Sequence, residues 1–371
     1  MSLEVFCRTR LIVCVAVISL ASIAQAAADE FVEQARQRVE AATQPWTTWQ
    51  GPDSGPVAQA GKQVLFIASD LRNSGVLGVS EGVKAAAQVM GWKLRILDGQ
   101  GSVSGRTAAL NQGIVLKPDG IILGGFDARE QLSTLKKVQA AKIPVVGWHA
   151  GPSAGPMAEE GLFVNVTTDP GDVAKIAAYY AVAQSNGKAG VVILTDSLYA
   201  VATAKSDAMA EVIKQCSGCS LLALEDSPLA ETSSRMPQLT TSLLQRFGDK
   251  WNYTLGINDL YFDFIGSSLS RLGRKPDQPP LSLSAGDGSE SAYQRIRKSS
   301  YQAATVPEPV TLHGWQLIDE LNRAFAGVGP SNYVTAVHLI TANNIQVDGG
   351  PRNTFDPDNG YAAAYRKIWQ R

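Results

Sequence analysis

Gln63-Val-Leu-Phe-Ile-Ala-Ser-Asp-Leu-Arg-Asn-Ser-Gly-Val-Leu-Gly-Val-Ser-Glu-Gly-Val-Lys-Ala-Ala-Ala-Gln-Val-Met90 is the stretch from which the fold is read. Val64 to Ser69 is an apolar run of strand length that ends in polar residues. Val76, Val79, Val83, Ala86, Ala87 and Met90 then repeat at helical spacing on one face, and Gly91 stands where a helix stop is expected. The unit is strand, polar loop, amphipathic helix, and it recurs. Further strands are expected near Leu94 to Leu97, Gly120 to Leu123 and Val145 to Gly147, with Leu132, Leu135 and Val138 marking an intervening helix. A second run follows near Val191 to Thr195, Leu221 to Leu224, Thr254 to Ile257 and Leu281 to Ser284. Such alternation requires parallel sheets covered by helices on both faces. The expected fold class is therefore α/β, with two doubly wound parallel-sheet lobes, and 371 residues at 45% hydrophobic content suit two such units.

Open α/β sheets bind ligands beyond the carboxyl ends of their strands. Those ends read Ser69-Asp70-Leu71-Arg72-Asn73, Gly124-Gly125-Phe126-Asp127, Trp148-His149, Thr195-Asp196-Ser197-Leu198-Tyr199, Asn258-Asp259 and Asp287-Gly288. Any one of these polar groups has an ordinary explanation as the cap of the next helix. Their repetition at strand after strand points to a polar cleft.

Thirty-three Lys and Arg face 34 Asp and Glu, so the chain lacks the net field that nucleic acid or an anionic membrane would demand. Arg8 and Arg10 precede an apolar run from Leu11 to about Ala24, followed by Ala-Gln-Ala, which reads as a secretory leader over residues 1–28 and implies a periplasmic destination. The run is shorter than the roughly 20 residues a membrane span needs. Cys14 lies inside it, not at its end where a lipid-attachment cysteine would sit. Beyond the leader, Cys216 and Cys219 are the remaining cysteines. In an oxidising compartment they form a short-range disulfide most simply; a redox motif would open a helix after a strand, and this pair follows one. Residues 29–62, helical in pattern and then rich in Pro, Gly and Trp, read as an extension wrapped over the surface.

From Gln63 to His338 the chain resembles the type I periplasmic binding proteins of the ribose- and galactose-binding group. Ile67-Ala-Ser-Asp-Leu-Arg-Asn73, with Gly82 nine residues on, resembles that family's first strand, ligand loop and helix. Ile143-Pro144-Val145-Val146 resembles its strand running into the ligand site, and Asn258-Asp259 its Asn-Asp after a strand of the C-terminal lobe. Ala285-Gly-Asp-Gly288 resembles its Gly-Phe-Asp-Gly, and Ala303-Ala-Thr-Val-Pro-Glu308 its last strand. The resemblance implies that Asn73, His149, Lys205, Asn258, Asp287 and Glu308 face ligand, with Asp70 and Asp169 close by. It implies lobes of residues 63–167 plus 309–338 and 168–308 plus 339–371, hinged at three crossings near Thr167, Val306 to Pro309 and His338. Gly75 and Val76 stand where pentose-binding members often carry aromatic residues, and His149-Ala150 where they carry Asp-Arg, so ribose is not implied.

Stacking on a sugar face falls instead to Trp148, Tyr199, Tyr261 or Trp315, of which Tyr199 follows a strand end while Trp315 shares a helical face with Leu312, Ile318 and Leu321. Asp70, Asp287 and Glu308 make the cleft acidic, suiting a polyol or cation over a phosphate, although Lys205 offsets one of them. His149 lies in the expected cleft; the ordinary reading is a satisfied histidine near the hinge. His313 and His338 have no clustered partners, so neither metal nor cofactor is expected. There is no Walker loop or His-Glu-x-x-His helix, and Gly99-Gln-Gly101 with Gly105 has the wrong spacing for a dinucleotide loop. Paired carboxylates leave a carbohydrate-acting enzyme as a minor reading. A transcription regulator sharing the two-lobed fold is disfavoured by the leader and the missing DNA-binding helices. The expected role is a monomeric solute-binding protein that delivers a sugar-like ligand to an ABC permease, or signals to a chemoreceptor or sensor kinase. The tail, anchored by Tyr361, Tyr365 and Trp369, is expected on the C-terminal lobe, with partner docking as the alternative.

Overall fold

The computed structural model describes residues 26–371, so the expected leader lies outside the described residues except for positions 26–28, which belong to a helix over residues 26–42, α1. No helix among the described residues is long and apolar enough to cross a membrane.

The apolar run of the opening stretch becomes β1 (Gln63–Ala68), buried from Val64 onward. Asn73 ends the following loop as a cap: its Oδ1 accepts from the Gly75 and Val76 amides at 2.9 and 3.2 Å and starts α2 (Ser74–Met90). Gly91 closes that helix at φ 70°, donating to the carbonyls of Ala87 and Gln88. The unit repeats through β2 (Lys93–Asp98), α3 (Val103–Val115), β3 (Gly120–Gly124), α4 (Leu132–Ala140) and β4 (Val145–Trp148). A short β5 (Gly155–Met157) then pairs antiparallel with β6 (Leu162–Val166). The sheet order is β2-β1-β3-β4-β6-β5, parallel apart from β5.

Beyond residue 167 the second lobe repeats the plan. It runs α5 (Pro170–Gln184), β7 (Gly190–Thr195), α6 (Ala200–Gln215), β8 (Ser220–Asp226), α7 (Thr232–Phe247), β9 (Tyr253–Gly256), α8 (Phe262–Arg271), β10 (Leu281–Ser284), α9 (Glu290–Arg297) and β11 (Gln302–Thr305). The chain returns to the first lobe as α10 (Val310–Ala326), then re-enters the second sheet as β12 (Ile340–Thr341), giving the order β12-β11-β10-β9-β7-β8. α11 (Ile345–Asp348) and α12 (Tyr361–Trp369) complete it. In each sheet the first strand of the repeat, β1 or β7, sits between its two successors, so the strand order reverses there and a crevice opens at the carboxyl ends. Cys216 and Cys219 are joined in a disulfide between α6 and β8.

Each sheet is covered on both faces. In the first lobe β1 sends Phe66 and Ala68 toward α2 and α10, and Leu65 and Ile67 toward α3 and α4. α2 and α10 approach at backbone distance, since a Cβ on Gly82 would lie 2.5 Å from Thr311 O and one on Gly314 would lie 2.4 Å from Val83 N. Trp315 is part of that core. The expected placement of the tail is corrected: Tyr361, Tyr365, Ile368 and Trp369 are buried in the N-terminal lobe, with Trp369 stacked on Trp315 at 5.5 Å. The reason is chemical, because α10 presents both an apolar aromatic face and Asp319, whose Oδ1 accepts from Trp369 Nε1 at 2.7 Å.

Candidate ligand cleft

Between the carboxyl ends of the two sheets lies a cavity of about 320 Å³. The N-terminal lobe contributes Ser69, Asp70, Arg72, Asn73, Val76, Gly101, Gly125, Trp148 and His149 to its walls. The C-terminal lobe contributes Tyr199, Lys205, Leu229, Thr232, Ser233, Ile257, Asn258, Leu260, Phe264 and Asp287, among others. A shallower polar chamber continues from it and shares Arg72, Asn73, Asn258 and Leu260. The lobes already touch at Gly75, where a Cβ would sit 2.1 Å from Asp287 Oδ2.

The floor is a buried ionic cluster. Glu308, wholly buried, accepts on Oε1 from His149 Nε2 at 2.9 Å and from Lys205 Nζ at 3.2 Å. Its Oε2 accepts from Thr167 Oγ1 at 3.3 Å and from the Thr168 amide at 3.2 Å. Burial by itself would raise this carboxyl, but His149 and Lys205 outweigh it and hold Glu308 well below the ordinary carboxylate range. Asp287 is the contrasting case: burial raises it, His149 and Lys205 oppose only partly, and its hydrogen-bond partner is Asn258 Nδ2 at 3.1 Å. His149, at φ 51° in the left-handed region, stacks its ring on Trp148 at 3.9 Å. Non-glycine residues are held there only where surroundings demand it, and here the Glu308 bond and the Trp148 face do so.

Trp148 Nε1 donates to His313 Nδ1 at 3.1 Å, which leaves the His313 proton on Nε2, directed at Thr335 Oγ1 at 2.9 Å. Thr335 Oγ1 in turn lies 2.6 Å from Thr168 Oγ1. Burial lowers His313 to about 4, so it is neutral at pH 7. One polar chain thus joins the segments at residues 167–169, 306–309 and 334–338 where the polypeptide passes between lobes.

His149, Asp287 and Glu308 bring one potential ligand atom each within 4.8 Å of one another. Glu308 Oε1 is already held by the Lys205 ammonium at 3.2 Å and by His149 Nε2 at 2.9 Å. Asp287 and Lys205 are more naturally an acceptor and a donor for hydroxyl groups.

The periplasmic binding protein domain family matches residues 64–327, most of the chain. The chain belongs to the periplasmic binding protein family. No curated protein matches it by sequence. Among solved structures, this periplasmic binding protein is similar in fold to GanP, a glucose-galactose binding protein from Geobacillus stearothermophilus, at 20% identity and TM-score 0.69, covering 78% of this chain and 100% of that one. It is similar at 17% identity and TM-score 0.67 to the binding component of the arabinose ABC transporter from Shewanella sp. ANA-3, covering 83% and 96%. A third likeness, at 16% identity and TM-score 0.65, is to the XylFII-LytSN complex, covering 77% and 99%.

Of the residues singled out from sequence, the fold of this binding protein brings Asp70, Asn73, His149, Tyr199, Lys205, Asn258 and Asp287 to the cavity wall. Asp70 is clamped by Arg72 through Nε and Nη2, and Arg72 outweighs the burial that would raise it. Glu308 lies behind the wall, holding His149 and Lys205. Asp169 is elsewhere: it caps α5, accepting from the Asp172 amide at 2.9 Å. Tyr261 is a core residue whose hydroxyl donates to Ser227 O. Thr232, Ser233 and Phe264 were not legible, because they sit in helical segments after the strand-end loops and carry no signal distinguishing wall from surface.

Proposed function

We propose that the protein is a periplasmic solute-binding protein that captures a sugar or polyol between its lobes and presents it to an ABC importer, without altering it. The observation that carries this is the cavity shared between both lobes, which Asp287, Asn258, Lys205, His149 and Asn73 line with the mixed acceptors and donors that hydroxyl groups require. Ligand gripped by both lobes favours the closed form, because only that form makes both sets of contacts. Hydrolysis is disfavoured by the state of Glu308, whose two oxygens are already engaged by His149, Lys205, Thr167 and Thr168. A sensory role is the second reading, favoured by the likeness to XylFII in its complex with LytSN.

A thermal-shift screen of sugars and polyols, beginning with galactose, arabinose and allitol, tests the reading, since a ligand bound only by the folded state raises Tm. At a hundredfold excess over Kd the stabilisation is about 2.7 kcal/mol. Asp287→Asn is expected to abolish the shift, with ligand recovered unchanged. Consumption of the ligand would make the protein an enzyme. Absence of any hit among sugars and polyols would remove them as the ligand class.

A further inference from the structure

Two segments outside the family match, residues 26–62 and the tail beyond Thr341, each run from one lobe to the other. The likenesses to the three solved structures named above span 96–100% of those chains but only 77–83% of this one, so part of it lies beyond the shared fold. α1 belongs to the C-terminal lobe: Val32, Ala35 and Ala42 are buried against α5, and the Leu339 amide donates to Ala42 O at 2.8 Å. Two residues, Thr47 and Thr48, separate Trp46 from Trp49. Trp46 stacks on Phe355 of the C-terminal lobe at 6.0 Å and also rests against the N-terminal core, whereas Trp49 packs edge-on against Tyr333 and Tyr365 of the N-terminal lobe at 5.2 and 5.3 Å. Beyond Trp49 the extension stays on that lobe, where Asn322 Nδ2 donates to Pro56 O and Arg323 Nη2 to Ser54 O.

The tail makes the same passage later. Arg297 holds it on the C-terminal lobe through Ile345 O, Gly350 O and Asn353 Oδ1. Phe355 is buried there, and Tyr361 is already in the opposite core. The two passages touch each other at Trp46–Phe355 and Trp49–Tyr365, and the first lies beside the hinge segment from Tyr333 to Leu339.

We infer that the extension and tail form a belt that adds two crossings to the three hinge segments and restrains the opening of the lobes. The physical reason is tether length. Residues 43–48 are the whole slack between Ala42, buried in the C-terminal core, and Trp49, packed on the N-terminal core, and residues 356–360 the slack of the second passage. Opening that displaced the anchors beyond this slack would have to strip an aromatic ring from its contacts. The restraint acts on the ligand-free protein and is independent of which solute binds.

Spin labels at Ser104→Cys and Ser234→Cys, exposed positions in opposite lobes, report the opening by pulsed distance measurement on the ligand-free exported chain. About six Gly/Ser residues inserted between Thr47 and Thr48, with a second such insertion between Asp358 and Asn359, slacken each tether by roughly 13 Å without touching an aromatic anchor. The expected result is a broader distribution with its mean moved to longer distance by about 3 Å or more, largest when both insertions are present. An unchanged distribution in the double insertion overturns the belt. Should an insertion impair folding, a protease site placed in it and cut after folding releases the same tether, and the same two outcomes decide.

Discussion

Gly75 is a residue at which the lobes meet, and the missing side chain is what lets Asp287 lie against α2. In Gly75→Ala the new Cβ would overlap the Asp287 carboxylate, so closure must be incomplete. Affinity for the sugar found in the thermal screen is expected to fall at least about tenfold, or 1.4 kcal/mol, with the Tm of the ligand-free protein little changed. Calorimetric titration checks this. His313 acts at the same scale through pH. Its pKa is about 4 in the folded protein against an ordinary value of 6.5, so the unfolded chain takes up a proton first as pH falls. The stability it contributes is complete above pH 6.5 and is lost between about 6.5 and 4, by up to about 3 kcal/mol. Glu320, raised by burial to about 7, opposes this slope, so the measurement is a difference. Urea denaturation of the wild type and His313→Gln across that window should show the wild type losing more stability. Asp70, Asn73, Asn258 and Asp287 were legible in the sequence because strand ends are places where polar residues face a crevice. Asp169 looked the same and is only a cap, since a side chain's choice between amide and cavity depends on rotamer and neighbours.

The α2–α10 pair is the element on which the N-terminal lobe depends. Gly82 faces Thr311 and Gly314 faces Val83, so the helices touch without intervening side chains. Gly314→Ala is expected to cost about 1–3 kcal/mol by overpacking, although Ala favours an isolated helix, and chemical denaturation measures it. The strands and helices of both lobes were readable from period and burial, because fully buried parallel strands are short apolar runs between amphipathic segments. β5, β6 and β12 were not: β5 and β12 are three and two residues long and held by pairing alone, and the apolar run of β6 is interrupted by Asn165. α12 was read as a helix with the right anchors and assigned to the wrong lobe. Its periodicity states that one face is apolar but carries no information on which partner covers it.

At the scale of the molecule, Arg106 links the lobes at the edge of the cleft, through Tyr199 of its wall. It is buried in α3, paired with Glu130 at 2.6 Å, and its guanidinium lies 5.9 Å from the Tyr199 ring of the opposite lobe. The double variant Arg106→Met, Glu130→Gln removes the cation without stranding its partner. Loss of the cross-lobe contact, worth roughly 1–2 kcal/mol when desolvated, is expected to weaken ligand binding about fivefold to thirtyfold. Titration against Glu130→Gln alone checks it. Two lobes, their parallel sheets and the polar strand ends were determined by the sequence itself, because each follows from local periodicity and from the rule that a doubly wound sheet opens where its strand order reverses. The burial of Glu308 behind His149 and Lys205, the hydrogen-bonded chain through His313 and the paired passages of extension and tail were decided by the tertiary structure. Each joins residues far apart in the chain, and which distant groups meet is settled by packing and by the pairing of buried charge.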